Sequence, residues 1–469
     1  MKKIKNLFLS AVILTSLFSC EDAYRIDPAD EITDQNAIVN MDDLGRAVLG
    51  VYSRVGTRID GDNFIAWSAY FTDECKKPQS NRGQGVQVHT WSINSGTNEA
   101  EKYYGDLYAS INRANTVLEK IDAVPATTTA DVNLKEKYKA ELKVIRAMAH
   151  FDLMRFFSKS YDPSSLATTI VDHVIVFETL PRNTVGEVTA FVNNELADAY
   201  DVLEMYGSNA DVTRVTPLAV QALRARVALY TKDYASAVTY SQEVIDGIPL
   251  AANPTEYTDI WTDASNAEIV FKLKRVTGNN QVGRLFTDSN GDVFYEVSNG
   301  LFQTFDANDV RSFTLTQSGG ADRRVGKYVG PSSDFGLADI KVLRVAEMYL
   351  INAEAHVLKA APDFAAAELA INTLRQSRRI TPSALPDVAF SDEADAIDKI
   401  LLERRKELAF EGHRFFDLKR FNLGVDRLAS DVLLNDFAED LAPGDHRFTL
   451  PIPQQAIFSN GTLIQNPGY

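Results

Sequence analysis

From residue 41 onward the apolar positions of the chain recur at the three–four spacing of one helix face. Leu44, Ala47, Val48, Val51, Tyr52 and Val55 form the first such stripe. Tyr104, Leu107, Tyr108, Ile111, Asn115, Leu118 and Ile121 form the second, and Tyr138, Leu142, Ile145, Ala149, Asp152 and Phe156 the third. Pro163 opens a long irregular segment that runs to about Asn183. Thr184 then reads as an N-cap with Glu187 three residues on, a capping box. Val188, Phe191, Val192, Leu196, Ala199 and Leu203 make the inner face of the helix it starts.

A helix pair follows. Pro217 suits a first helical turn, where its missing N–H costs nothing. Ala222, Ala225, Val227, Ala228 and Leu229 face Ala237, Val238, Tyr240, Val244 and Ile245 across the turn Lys232-Asp233-Tyr234. Small residues on two facing helices with a short turn resemble a tetratricopeptide unit. A second pair sets Leu343, Ala346, Leu350, Ala353 and Val357 against Ala366, Leu369, Ile371 and Leu374, with a turn at Pro362-Asp363. Residues 101–158 and 187–230 are looser versions. Between the pairs, residues 246–340 change character. Ile269 to Leu273 reads as a strand, Asp288 to Asp292 as a turn with a hairpin-favouring Asn-Gly, and glycines punctuate the rest. The predicted class is mainly α: stacked helical hairpins with an irregular loop and short-strand region.

The start of the chain has different chemistry. Lys2, Lys3 and Lys5 precede a mostly apolar run from Leu7 to Phe18. That run is short of the roughly 20 residues a helix needs to cross a bilayer, so it reads as a signal h-region. It ends Leu17-Phe18-Ser19-Cys20, which resembles a bacterial lipobox, with Phe18 bulkier than usual before the small residue. Cys20 is the expected lipidation site. Glu21 and Asp22 resemble the surface-export signal of Bacteroidetes lipoproteins. The expected division is residues 1–19 signal peptide, 20–40 tether, 41–245 helical-hairpin part, and 246–469 C-terminal part containing the loop-rich stretch 246–340.

Charge and composition narrow the function classes. Of 469 residues 45% are hydrophobic, ample for a core. A net charge of −16 argues against an electrostatic nucleic-acid binder and leaves room only for a local basic patch. Two cysteines cannot build a disulfide scaffold or a cysteine zinc site, and no two of the six histidines stand in a His-x-x-x-His pair. Cys75 reads as a buried small hydrophobe. Asp288, Asn290 and Asp292 alternate like calcium ligands, but Val293 and Asn299 stand where such a loop needs Gly and Glu, which favours a plain turn. Gly83-Gln84-Gly85 lacks the rest of a dinucleotide fingerprint and reads as a loop. Glu403, Glu407 and Glu411 stack at four-residue intervals on one predicted helix, flanked by Arg404, Arg405, Lys406, His413 and Arg414. Glycosidic catalysis needs two carboxyl groups flanking a substrate, so this row reads as ion pairing, with His413 hydrogen-bonded within it. No nucleophile elbow or phosphate loop is present.

The same segment, Glu403 to Arg420, resembles the most characteristic stretch of the SusD/RagB family. Tyr108 to Asn115, Arg146 to Leu153, Leu180 to Val185, Leu343 to Leu350, and the closing Ile452-Pro453 and Asn466 to Tyr469 resemble further family pieces in the right order. The resemblance implies a surface lipoprotein of the outer membrane, without catalysis or a cofactor. It would capture an oligosaccharide, or in some branches a peptide, for a SusC-like TonB-dependent transporter partner.

Sugar binding needs aromatic faces for ring C–H surfaces and polar groups for hydroxyls. Trp91 lies in a polar stretch with Arg82, His89 and Asn94, and Trp67 and Tyr70 precede Asp73 and Glu74. Trp67, Asp73, Arg82, Trp91 and Asn94 are therefore the candidate ligand contacts, with Tyr295, Phe302 and Tyr328 from the loop-rich stretch. Trp261 reads as core. For each of these rings, packing is the competing role. Peptide capture by the same architecture and a surface hydrolase are the rival functions.

Overall fold

The computed structural model describes residues 37–58, 62–288, 290–315, 323–331, 333–380, 385–434, 436 and 438–469. Cys20 and the expected signal peptide lie outside the described residues.

Each apolar stripe becomes a helix with its stripe largely inward; the exception is Leu369, which is 71% exposed, while Ala367 and Ala370 take the inner face of its helix beside Ile371 and Leu374. The helices are Met41–Arg58, Asn98–Ile121, Thr129–Phe157, Val185–Tyr206, Pro217–Tyr230 and Tyr234–Gly247, then Val345–Leu358, Phe364–Ser377 and Glu393–Glu407. Side-chain oxygens set the starts. Thr184 accepts from the Glu187 N–H while the Glu187 carboxylate takes the Thr184 N–H, so the capping box forms complete. Thr128 and Asp131 build a second box that the sequence reading passed over. Pro217 opens its helix behind Thr216, and Asp233 caps the return helix after Lys232, whose φ of 62° turns the chain. Neighbours in sequence pack as neighbours in space, so the helices form a continuous stack from Asn98–Ile121 through Tyr234–Gly247 to Val345–Leu358 and Phe364–Ser377. Val188, Leu196 and Leu203 are wholly buried, and each contributes about 1.5–3 kcal/mol by leaving water.

Three short antiparallel pairs interrupt the stack. Cys75–Lys76 pairs with Glu296–Val297, Ile269–Leu273 with Ile340–Arg344, and Val425–Asp426 with Asp440–Leu441. The Ile269–Leu273 strand is as the sequence predicts. Leu343 is not a helix residue: it belongs to the Ile340–Arg344 strand, and the helix begins at Val345. That strand is buried along its whole length, and the apolar residues of so short a segment run straight into the helix pattern, where periodicity cannot separate strand from helix turn. Asp288 closes the predicted turn, its N–H donating to the Asp292 carbonyl at 2.9 Å.

The Glu403–Arg420 segment is two helices, not one. Glu393–Glu407 ends at Leu408, Phe410 (φ 62°) and Gly412 (φ 86°) reverse the chain, and Arg414–Arg420 begins a new helix. Glu411 therefore lies in the bend. The three glutamates are ion-paired as expected, but largely with partners from elsewhere in the chain. Glu403 meets Arg311 at 2.5 Å and Arg375 at 2.7 Å. Glu407 meets Arg378 at 2.9 Å and Arg344 at 3.0 Å. Glu411 meets Arg344 and Lys327, each at 2.8 Å. Burial pushes the Glu407 carboxyl up, and the Arg378 and Arg344 guanidiniums overcome that and hold it well below its usual range. Glu268 adds a fourth carboxylate, 2.7 Å from Arg378. This buried network ties the strand at Arg344 to the helices on either side.

Candidate functional site

The two groups of residues nominated from sequence fall in one region. Tyr70 stacks on Tyr295 with ring centroids 4.1 Å apart. The Tyr295 hydroxyl donates to the Gln84 carbonyl at 2.9 Å, and the Asn81 amide donates to the Phe294 carbonyl at 2.9 Å. The Cys75–Lys76 and Glu296–Val297 strands close the same seam. Gly85 is needed here: at φ 65° a Cβ would come within 2.5 Å of the Tyr70 ring.

Four of the five nominated rings, however, are not open to a ligand. Trp67 is 1% exposed and packed among Phe71, Tyr103, Phe156 and Phe415. Trp91 is 4% exposed; its indole N–H donates to the Phe71 carbonyl at 2.8 Å, and the Arg427 guanidinium lies 4.5 Å from the ring centroid. Tyr295 and Tyr328 are fully buried. The expectation that these four present stacking faces is corrected: the local sequence is polar, but distant aromatics and Arg427 cover the rings. Asp73 is likewise buried, its carboxylate gripped by Arg414 at 2.9 Å and Arg405 at 3.1 Å. Burial opposes ionisation there, and the two guanidiniums outweigh it and hold the carboxyl well below its usual range. Arg82, Asn94 and Phe302 keep surface. Arg82 pairs with Asp288 and Asp292, so the candidate calcium carboxylates already face a cation. The Asn94 side chain accepts from the Gly96 N–H at 2.9 Å, and Arg323 lies 4.0 Å over the Phe302 ring. Cys75 and Trp261 are buried as expected.

A roomy concavity lies elsewhere. A cavity of about 750 Å³ opens where the Thr129–Phe157 and Arg414–Arg420 helices end, beside the 230–234 hairpin turn and the loop at Gly444–Thr449. Lys419 builds its floor by donating to the carbonyls of Arg155 (2.8 Å) and Ser158 (2.6 Å), the orphan acceptors at a helix C-terminus. Tyr161 donates to the same Arg155 carbonyl at 3.1 Å and meets Tyr230 edge-on at 5.3 Å. Tyr234 and Phe421 are half-buried in the wall, and Lys159, Asp162, Lys232 and Asn422 stand exposed at the rim. Burial, reinforced by Arg155, pushes the Lys419 ammonium down to about 7. Arg420 is engaged by Glu354 at 2.6 Å and Asp417 at 2.9 Å. A shallower cleft of about 640 Å³ adjoins, sharing Leu418 and Leu423. Small-molecule sites run to about 300–1,000 Å³ and combine apolar walls with a few placed polar groups, and this cavity has that make-up.

Sequence reading missed it because its walls come from several separate stretches. The available signals were Ser160-Tyr161-Asp162 at the mouth of the irregular segment and Phe421-Asn422 just past the family-like helix.

Comparison with known proteins gives two matching family models. One, described as the SusD family, matches residues 322–469. The other, described as starch-binding associating with outer membrane, matches residues 26–229. A SusD-like protein of Formosa agariphila is 25% identical, over 100% of both chains. A SusD superfamily structure from Bacteroides thetaiotaomicron superposes with TM-score 0.80 at 23% identity, covering 92% of this chain and 100% of that one. The structure of a SusD-like carbohydrate-binding protein from Bacteroides vulgatus gives TM-score 0.76 at 20% identity, covering 91% and 98%.

Proposed function

We propose that this chain, which belongs to the SusD/RagB family, captures glycan at the outer membrane as a binding protein and not as an enzyme. The observation that carries the reading is the cavity: half-buried Tyr161, Tyr234 and Phe421 offer ring faces, and Asn422, Asp162 and the lysines offer donors and acceptors for hydroxyls. The family description, starch-binding associating with outer membrane, supports a sugar over other small ligands. The acidic row at Glu403, Glu407 and Glu411 is tied up by guanidinium and ammonium groups, which suits a scaffold better than acid–base chemistry. Arg82, Asn94 and Phe302 are proposed as an accessory contact surface, since they alone of the nominated residues face solvent. Anchoring through Cys20 and hand-over to a SusC-like transporter complete the proposal.

A glycan array beside a peptide panel tests it. Binding to at least one glycan, weakened by Tyr161→Ala, is expected, with a loss of about 1–3 kcal/mol for a stacking ring. Peptide binding without any glycan binding would overturn the reading. For the anchor, Cys20→Ala should leave the membrane fraction when no transporter is present; unchanged partitioning would refute lipidation there.

A further inference from the structure

The charges around the cavity are unbalanced, in a chain whose overall charge is −16. Lys159, Lys232 and Lys419 all line it, and among the described residues none of the three has a carboxylate partner. Of the lining acids, Asp445 is held by Arg447 at 2.8 Å. Asp162 takes a hydrogen bond from Ser160 at 2.9 Å and has no cationic partner among the described residues. The fourth lining cation, Arg420, is neutralised by Glu354 and Asp417. Two exposed ammonium groups and the buried amine of Lys419 therefore line a concave, ring-lined space with one free carboxylate.

We infer that the cavity takes an anionic saccharide, a sugar unit bearing a carboxylate or a sulfate ester, with Lys159 and Lys232 meeting the anion and Tyr161 and Tyr234 the ring. The inference rests on the glycan-capture reading and names its substrate class. A neutral sugar would leave the lysines with nothing to do that a serine or asparagine could not do with less repulsion. An anionic unit relieves the crowding of like charges, and concave low-dielectric walls strengthen the attraction. Lys419 fits the same picture. Its ammonium is kept near half-charged by burial and by Arg155, and an anion in the cavity would restore its proton. Its carbonyl partners fix the position of the nitrogen whether or not the site is filled.

The test is calorimetry on the full chain with tetragalacturonate, a chondroitin sulfate tetrasaccharide and maltotetraose. At least one acidic probe should bind about tenfold tighter than maltotetraose, and its affinity should fall as salt is raised from about 0.05 to about 0.5 M. The Lys159→Ala/Lys232→Ala double variant, exposed at both positions, should weaken that probe by about fivefold without lowering the melting temperature. Binding of the acidic probe should also take up protons near pH 8, seen as a buffer-dependent heat, and Lys419→Met should abolish that dependence. Acidic probes binding no tighter than maltotetraose, or binding untouched by the double variant, would overturn the inference. Maltotetraose binding alone would overturn it while leaving glycan capture standing. Failure of all three sugars would also overturn it, and the glycan array would then decide glycan capture separately.

Discussion

The indole N–H of Trp91 donates to the backbone carbonyl of Phe71 at 2.8 Å, across 20 residues of sequence. Trp91 sits at φ 55°, a left-handed conformation uncommon for a large residue, and the packing of Phe71 and Arg427 around the ring holds it there. Trp91→Ala should therefore cost about 3–5 kcal/mol of stability through the cavity it leaves. Trp91→Phe should cost less, because the Phe71 carbonyl also accepts from Arg427 at 2.9 Å. Glycan affinity of the folded Trp91→Phe variant should match the parent. Chemical denaturation and calorimetry together check this, and an affinity loss at unchanged stability would show that the ring contacts ligand.

Glu407 holds three guanidiniums that have no exit to water, those of Arg378, Arg344 and, at 3.2 Å, Arg311. Removing its carboxylate in Glu407→Ala leaves Arg378 and Arg344 buried with one fewer counter-charge each, although Glu268 still faces both. Breaking a buried pair from one side costs about 3–5 kcal/mol. A melting temperature unchanged from the parent would contradict this account of the network. The carboxylate's low position also predicts acid sensitivity. Its contribution is present above the ordinary value of 4.5 and fades as pH falls below it, so Glu407→Ala should flatten the acid limb of the stability curve.

The helices were legible in the sequence because their physics is local. A stripe such as Val188, Val192, Leu196, Ala199 and Leu203 states its own inner face, and Thr184 with Glu187 states its own start. The break between Glu407 and Arg414 was not legible, since Leu408, Ala409 and Phe410 all continue a helical pattern and only tertiary contacts decide otherwise. One of them is the Phe410 N–H, which donates to the Glu74 carboxyl at 3.1 Å from over 300 residues away. The site failed for the same reason. Polar neighbours made Trp91 look exposed, but its cover comes from Phe71, itself packed on Phe448, and from Arg427. Conversely, nothing local marks Lys159 and Lys232, which are far apart in sequence and meet only where the fold sets both on one cavity.

Gly85 gives a test of the seam between the two nominated segments. Gly85→Ala forces a left-handed φ on a residue with a Cβ, and places that Cβ within 2.5 Å of the Tyr70 ring, which is stacked on Tyr295. Strain and displacement together should cost about 2 kcal/mol. Gly83, also at positive φ but with open space around its Cβ position, is the control: Gly83→Ala should lose only the backbone share of that cost. Equal losses in the two variants would mean that the Tyr70 contact is not what requires glycine at position 85.

Glu74 makes a sharper claim about pH. Burial pushes its carboxyl up from 4.5 to about 7, against the Phe410 N–H that favours its charged form, with Asp73 adding to the rise and Arg414 and Lys327 opposing it. A group whose folded value is raised contributes stability that is full below its unfolded value and is lost as pH rises through the folded one. Between about 4.5 and about 7 the folded protein therefore keeps a proton that the unfolded chain gives up, and stability from this site falls with increasing pH. Four histidines act in the opposite sense over part of that range: burial lowers His150 to about 4, His89 and His413 well below their ordinary value and half-buried His356 below it, so their contributions rise with pH. The wild-type curve alone cannot separate these, but a difference can. Glu74→Gln holds the site neutral at every pH and leaves these histidines untouched. The variant's melting temperature relative to wild type should climb steadily from pH 4.5 to pH 7 and then level off. Parallel curves across that window would show that Glu74 is already ionised in the folded protein, and that its neighbours Arg414 and Lys327 win over burial.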